Sequence, residues 1–115
     1  MRRGEIYLVN FDPVKGGEAN KRQPAVIVSN DGANTSAERS GQGVITIVPV
    51  TSMVSRIYPF QVMFPAGTVG LDLDSKAQAE QVRSISIERL GTAVGEVPYE
   101  LMEKLDEALR IHLAL

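Results

Sequence analysis

Apolar and polar residues change over in short runs along the first two-thirds of the chain, and only the last stretch carries a helical stripe. Glu5–Phe11 mixes β-branched and aromatic residues and stops at Asp12-Pro13, which predicts a strand followed by a turn. Residues 14–23 are polar, hold Gly16-Gly17 near their middle and show no period, the pattern of a mobile or functional loop. Pro24 is expected as the first residue of a buried strand over Ala25–Ser29, because proline is tolerated where a strand begins. Asn30–Gly43 is again polar and glycine-punctuated, a second loop with one helical turn around Ser36–Arg39. Val44–Ser52 is the strongest strand. Pro49 removes a ladder donor near its end, so that end is predicted to bulge or lie at an edge and to aim Thr51 and Ser52 outward. Tyr58–Phe64, Asp74–Ile85 and Thr92–Val97 are predicted as further strands, the second presenting Glu80, Gln81 and Arg83 close together.

The tail reads as a helix. Pro98-Tyr99-Glu100 has the proline and early acid of a first turn, and Leu101, Leu105, Ala108 and Leu109 then form one apolar stripe. About five or six strands followed by one long helix predict an α+β, mainly β domain, a small barrel with a helical cover. A chain of 115 residues suffices for one domain over residues 1–115, with no internal repeat or low-complexity tract. No apolar run is long enough to span a membrane, and Met-Arg-Arg-Gly leads straight into a strand, so a cytoplasmic protein is expected.

Charge and composition mainly exclude. Twelve Lys+Arg against fourteen Asp+Glu give a net charge of −2, so generic polycation binding to nucleic acid is ruled out. The imbalance is local: residues 1–60 carry seven basic and five acidic groups, residues 61–115 five basic and nine acidic. A mild basic face can therefore coexist with an acidic total. With no cysteine and the single histidine His112, thiol catalysis, thiolate zinc sites and paired-imidazole chemistry drop out. His112 falls near the helix C-terminus, where the dipole accounts for it. Asp72-Leu73-Asp74 reads as a solvated turn, and Tyr7, Phe11, Phe60 and Phe64 are assigned to the core. No phosphate-binding glycine loop or serine elbow is present.

Hydroxyls, guanidiniums and carboxylates remain, and they fit one reaction without a cofactor. RNA supplies its own nucleophile, the 2′-hydroxyl, so a protein needs only to place the phosphate, neutralise developing charge and manage two protons. A guanidinium with a Thr or Ser hydroxyl can do this, leaving a 2′,3′-cyclic phosphate and a 5′-hydroxyl.

Five segments taken in order narrow the reading. Arg3-Gly4-Glu5-Ile6-Tyr7, Gly17-Glu18 with Pro24–Asn30, Pro49-Val50-Thr51-Ser52, Ala79–Ser84 and the tail Leu105–Leu109 together resemble the MazF/PemK family of toxin endoribonucleases. The resemblance implies a small SH3-like barrel with a C-terminal helix, assembled as a homodimer. It also implies metal-independent, sequence-specific cleavage of single-stranded RNA and neutralisation by a MazE-like antitoxin. Thr51 matches the family's catalytic threonine; Glu18, Glu80, Gln81 and Arg83 match positions along the substrate groove, with Lys21 and Ser52 as neighbouring substrate contacts. One position departs from the pattern. The family's catalytic arginine stands immediately before the proline, where this chain has Gln23, and Arg22 is one residue early. In extended backbone that shift turns a side chain to the opposite face. Two readings follow: the glycine-rich loop brings Arg22 to the phosphate, or Gln23 weakens the site into one that binds RNA or antitoxin more than it cuts. A gyrase-poisoning toxin of the same fold is a third, since fold alone does not decide function.

Overall fold

The computed structural model of the chain describes residues 1–11 and 22–115. Its strands are β1 (Glu5–Asn10), β2 (Arg22–Ile27), β3 (Val44–Thr51), β4 (Gln61–Phe64), β5 (Ser75–Gln78), β6 (Arg83–Ser86) and β7 (Leu90–Glu96), and its helices are α1 (Asp31–Ser40) and α2 (Tyr99–Leu113). They form one antiparallel sheet in the order β4-β5-β3-β2-β1-β7, with β6 also on β3. The α+β, mainly β expectation holds. The element count does not: there are seven strands and two helices among the described residues.

The stretch expected to be a loop with one turn is the ten-residue α1. Its ends were written in the sequence: Asn30 Oδ1 accepts the Ala33 N–H, and Gly41 closes the helix at φ 68° with its N–H on Ala37 and Glu38 carbonyls. Its middle has almost no apolar stripe; only Asn34 and Ala37 are buried. Periodicity was therefore silent where the caps were not.

The long strand expected over Asp74–Ile85 is two strands around a 3₁₀ turn at Ala79–Gln81. Both pair with the same edge of β3. Val50 opposes Ala77 while Ile47 opposes Arg83, so three steps along β3 match six along the other chain. The turn absorbs the surplus. Pro49 sits in this gap, buried inside a central strand and paired only with Ala25 of β2. The expected edge is thus a change of partner, where the missing N–H has no ladder to break. Pro24 is likewise the third residue of β2, opposite Leu8, and β2 ends at Ile27. Tyr58–Phe64 shortens to β4, and the last strand runs longer than expected.

Alternation on β2 and β3 splits the interior into two cores on opposite faces. Val26, Val48 and Val50 join Ile6, Phe64 and Leu105 in the first, which α2 roofs with Leu105 and Ala108. Ala25, Ile27, Ile45 and Ile47 join Val9 and Ile85 in the second, flanked by Ala37 of α1. Arg3 ties the roof down: Nε donates to the Val28 carbonyl at 2.8 Å and Nη2 reaches Asp106 at 2.7 Å. Gly95 allows the 69–70 segment to lie against β7, since a Cβ there would stand 1.8 Å from the Val69 carbonyl oxygen.

Candidate functional site

The β2–β3 register decides which side chains can meet Thr51. Ala25 opposes Pro49 and Ile27 opposes Ile47, so continuing the pairing by two residues sets Gln23 across from Thr51. Side chains directly opposed on an antiparallel pair share one face. Gln23 Nε2 donates to the Val50 carbonyl at 3.1 Å. Val50 is the residue that the same register sets opposite Pro24, which has no N–H to offer. A side-chain amide thus satisfies a carbonyl that proline cannot.

Thr51 ends β3 half-exposed, and its Oγ1 accepts the Met53 N–H at 3.2 Å. That bond orients the hydroxyl and uses only an acceptor lone pair, so the hydroxyl proton remains to be donated. Ser52 follows, exposed, in the segment leading to β4.

Arg22 lies elsewhere. It opposes Asn10 on β1 and alternates away from Gln23. Its Nη1 rests against β7, 3.0 Å from where a Cβ of Gly91 would stand. The same corner holds Arg89, whose Nη1 donates to the Asn10 carbonyl at 3.1 Å, and a hollow lined also by Ser86 and Glu88. The structure therefore brings Gln23 to Thr51 and sends Arg22 to the opposite side of β2.

Glu80 and Gln81 belong to the 3₁₀ turn. Glu80 Oε2 accepts from Gln61 Nε2, and Gln61 Oε1 accepts the Tyr58 N–H at 3.1 Å, so this carboxylate anchors the segment between β3 and β4. Its Oε1 is buried with no partner among the described residues. Gln81 is exposed. Arg83 opposes Ile47 on the Thr51 face and lies 5.3 Å over the Phe11 ring. Phe64 and Tyr7 pack into the cores as expected, and Phe11 lines the second. Phe60 does not join a core; it stacks on Tyr58 at 5.3 Å and 2°. Glu18 and Lys21 fall outside the described residues.

Lys76 escaped the sequence reading. It opposes Thr51 from β5, so Thr51 stands between Gln23 on one neighbour strand and Lys76 on the other. Alternation sets Lys76 on the same side of β5 as Gln78, but nothing in the sequence pairs it with Thr51. Among the described residues no group of three or more His, Asp or Glu is placed to hold a metal ion. No described helix is long and apolar enough to cross a membrane.

Comparison with known proteins bears on the whole chain. Residues 2–113 match the model of the PemK-like, MazF-like toxins of type II toxin–antitoxin systems. The chain is 57% identical to Endoribonuclease MazF9 of Mycobacterium tuberculosis over 115 residues, covering 100% of this chain and 98% of that protein. It is 30% identical to Endoribonuclease EndoA of Bacillus subtilis, covering 100% and 96% respectively. Among solved structures, an endoribonuclease from a mycobacterial species matches with a TM-score of 0.75 at 26% identity, over 100% of this chain and 92% of that one. MazF in a MazE–MazF crystal structure from Deinococcus radiodurans matches with a TM-score of 0.76 at 26% identity, over 100% and 96%.

Proposed function

The chain belongs to the PemK-like, MazF-like toxins of type II toxin–antitoxin systems, and from that premise we propose that it is a toxin endoribonuclease cutting single-stranded RNA at the Thr51 edge of its sheet. The observation that carries this reading is the Gln23 Nε2 bond to the Val50 carbonyl at 3.1 Å, which holds the amide beside the strand end where Thr51 stands. It gathers hydrogen-bond donors at an accessible strand end, as a phosphodiester requires. In the reaction the RNA 2′-oxygen bonds to phosphorus while the P–O5′ bond breaks. The 2′-hydroxyl gives up its proton, and O5′ gains one. The Thr51 hydroxyl and the Gln23 amide donate to the phosphoryl oxygens as charge builds on them. Gln81, Arg83 and Ser52, with Glu18 and Lys21, contact bases and flanking phosphates, and Glu80 supports the groove by holding Gln61. Single-stranded RNA suits such a groove because its unstacked bases expose their edges and faces.

Gln23 is neutral where the family carries a guanidinium, so cleavage is slower than in an arginine-bearing form. Arg22, turned toward β7, serves as a backbone contact at most. The protein acts in the cytoplasm as a homodimer, without a metal ion, and is neutralised by a MazE-like antitoxin whose acidic segment competes for the groove.

Digestion of a long single-stranded transcript in the presence of chelator, followed by end-group analysis, tests the proposal. The expected products carry 2′,3′-cyclic phosphate and 5′-hydroxyl ends. Replacing the 2′-hydroxyl at a mapped cut site by hydrogen should abolish the cut. Products with 5′-phosphate ends, or cleavage that requires a divalent metal, would contradict it. Gyrase inhibition by a protein that neither binds nor cuts RNA would favour the gyrase-poisoning reading.

A further inference from the structure

We propose that Lys76 supplies the positive charge that Gln23 lacks. The inference rests on the endoribonuclease reading above and adds to it a residue that acts on the reacting phosphate. Lys76 opposes Thr51 across β5 and β3, and opposed residues on antiparallel strands hold their Cβ atoms about 4.5–5.5 Å apart on a common face. Continuing the β2–β3 register two residues beyond Ala25–Pro49 adds Gln23 on the other side of Thr51, so a neutral donor, a hydroxyl and an ammonium line up across three adjacent strands.

The burial of Lys76 makes its charge informative. Only 8% of the residue is exposed. Its Nζ donates to the Arg56 carbonyl at 2.8 Å and lies 6.0 Å from the centre of the Tyr58 ring. An ammonium has three N–H donors, and this single carbonyl occupies one of them among the described residues. Holding one carbonyl needs no charge, since a neutral amide would make the same bond, and a lysine can bury its stem while its ammonium keeps donors free. The two remaining donors and the charge fit an anion at Thr51.

Other described cations suit the task less well. Arg22 faces away against β7. Arg83 opposes Ile47, four residues from Thr51, or roughly 13 Å along the strand. The Arg56 guanidinium is drawn over the Tyr58 ring at 5.2 Å. Lys76 alone among them is paired directly with Thr51.

Because Lys76 also bonds the segment after Thr51, a test must separate charge from tethering. Single-turnover cleavage of one RNA should be measured for the wild type, Lys76→Met, Gln23→Arg and the double variant. Loss of a charge contact to a transition state costs about 10²–10³ in rate. Lys76→Met should therefore slow the wild type about 10²-fold but slow the Gln23→Arg protein less than about fivefold, a coupling that unrelated structural damage does not produce. Lys76→Gln keeps a donor for the Arg56 carbonyl without the charge and should fall as far as Lys76→Met; it carries the test if the methionine variant does not fold. Equal losses in both backgrounds would make Lys76 a tether only. Full activity of Lys76→Gln would remove the need for its charge. Either result overturns the assignment while leaving the endoribonuclease reading intact. If neither the wild type nor Gln23→Arg cuts RNA that both bind, the endoribonuclease reading falls and this assignment falls with it.

Discussion

The two cores of this small protein differ in how they are finished. The first, around Phe64 and Leu105, is closed by α2, and the Arg3–Asp106 pair fastens that helix to the end of β2. The second, around Ile45, Ile47 and Val9, is aliphatic and rimmed by partly buried Tyr7, Phe11, Ile87 and Leu90. Gln23, Thr51 and Arg83 share the face of this second core. The proposed chemistry lies on the second face, which α1 covers only through Ala37 among the described residues.

Substitutions on either side should separate the two functions. Thr51→Ala should lower the cleavage rate about 10²–10³-fold while leaving the unfolding midpoint nearly unchanged. A parallel loss of stability would show the rim to be part of the frame. Leu105→Ala, at a fully buried position under the roof, should cost about 2–5 kcal/mol of unfolding free energy. Ile45→Val in the second core should cost only about 0.5–1.5 kcal/mol. Denaturant titration of both variants checks the two values, and no measurable cost at either would contradict its burial.

The smallest effect is a pH dependence at α1. The Asp31 carboxyl accepts the Arg3 backbone N–H at 2.7 Å and the Asn34 amide at 3.3 Å, and these bonds hold it below the ordinary carboxylate value, helped by the Arg2 and Arg3 charges against a smaller desolvation effect. A carboxyl depressed by folding stabilises the native state fully above its unfolded value, and that contribution disappears as pH falls through the lower folded value. Thermal midpoints of wild type and Asp31→Asn should therefore differ at neutral pH and converge below about pH 4. A gap that widens in acid would contradict this cause.

Much of this was legible from local rules. The strands at Glu5, Ala25 and Val44 follow from β-branched runs, and the Leu101–Leu109 stripe located α2 and its buried face. What failed was non-local. α1 is held at its caps and buries only Asn34 and Ala37, so it has no stripe to read. The break at Ala79–Gln81 exists because one strand edge must serve β3 at two offsets, which only the pairing reveals. The site divides likewise. Thr51, Gln23 and Glu80 stand where the resemblance to the family sets them, and alternation along extended backbone turns Arg22 to the face opposite Gln23. Lys76 carries no motif; its placement beside Thr51 comes from the sheet.

The side of β2 on which the catalytic contact lies can be tested by comparing single-turnover cleavage by Gln23→Arg and Arg22→Gln with the wild type. The geometry predicts that Gln23→Arg accelerates cleavage about tenfold, because a bidentate guanidinium joins the Lys76 charge, and that Arg22→Gln stays within about threefold. A hundredfold loss in Arg22→Gln, with no gain in Gln23→Arg, would place the working guanidinium on Arg22 and contradict the register on which the site is built.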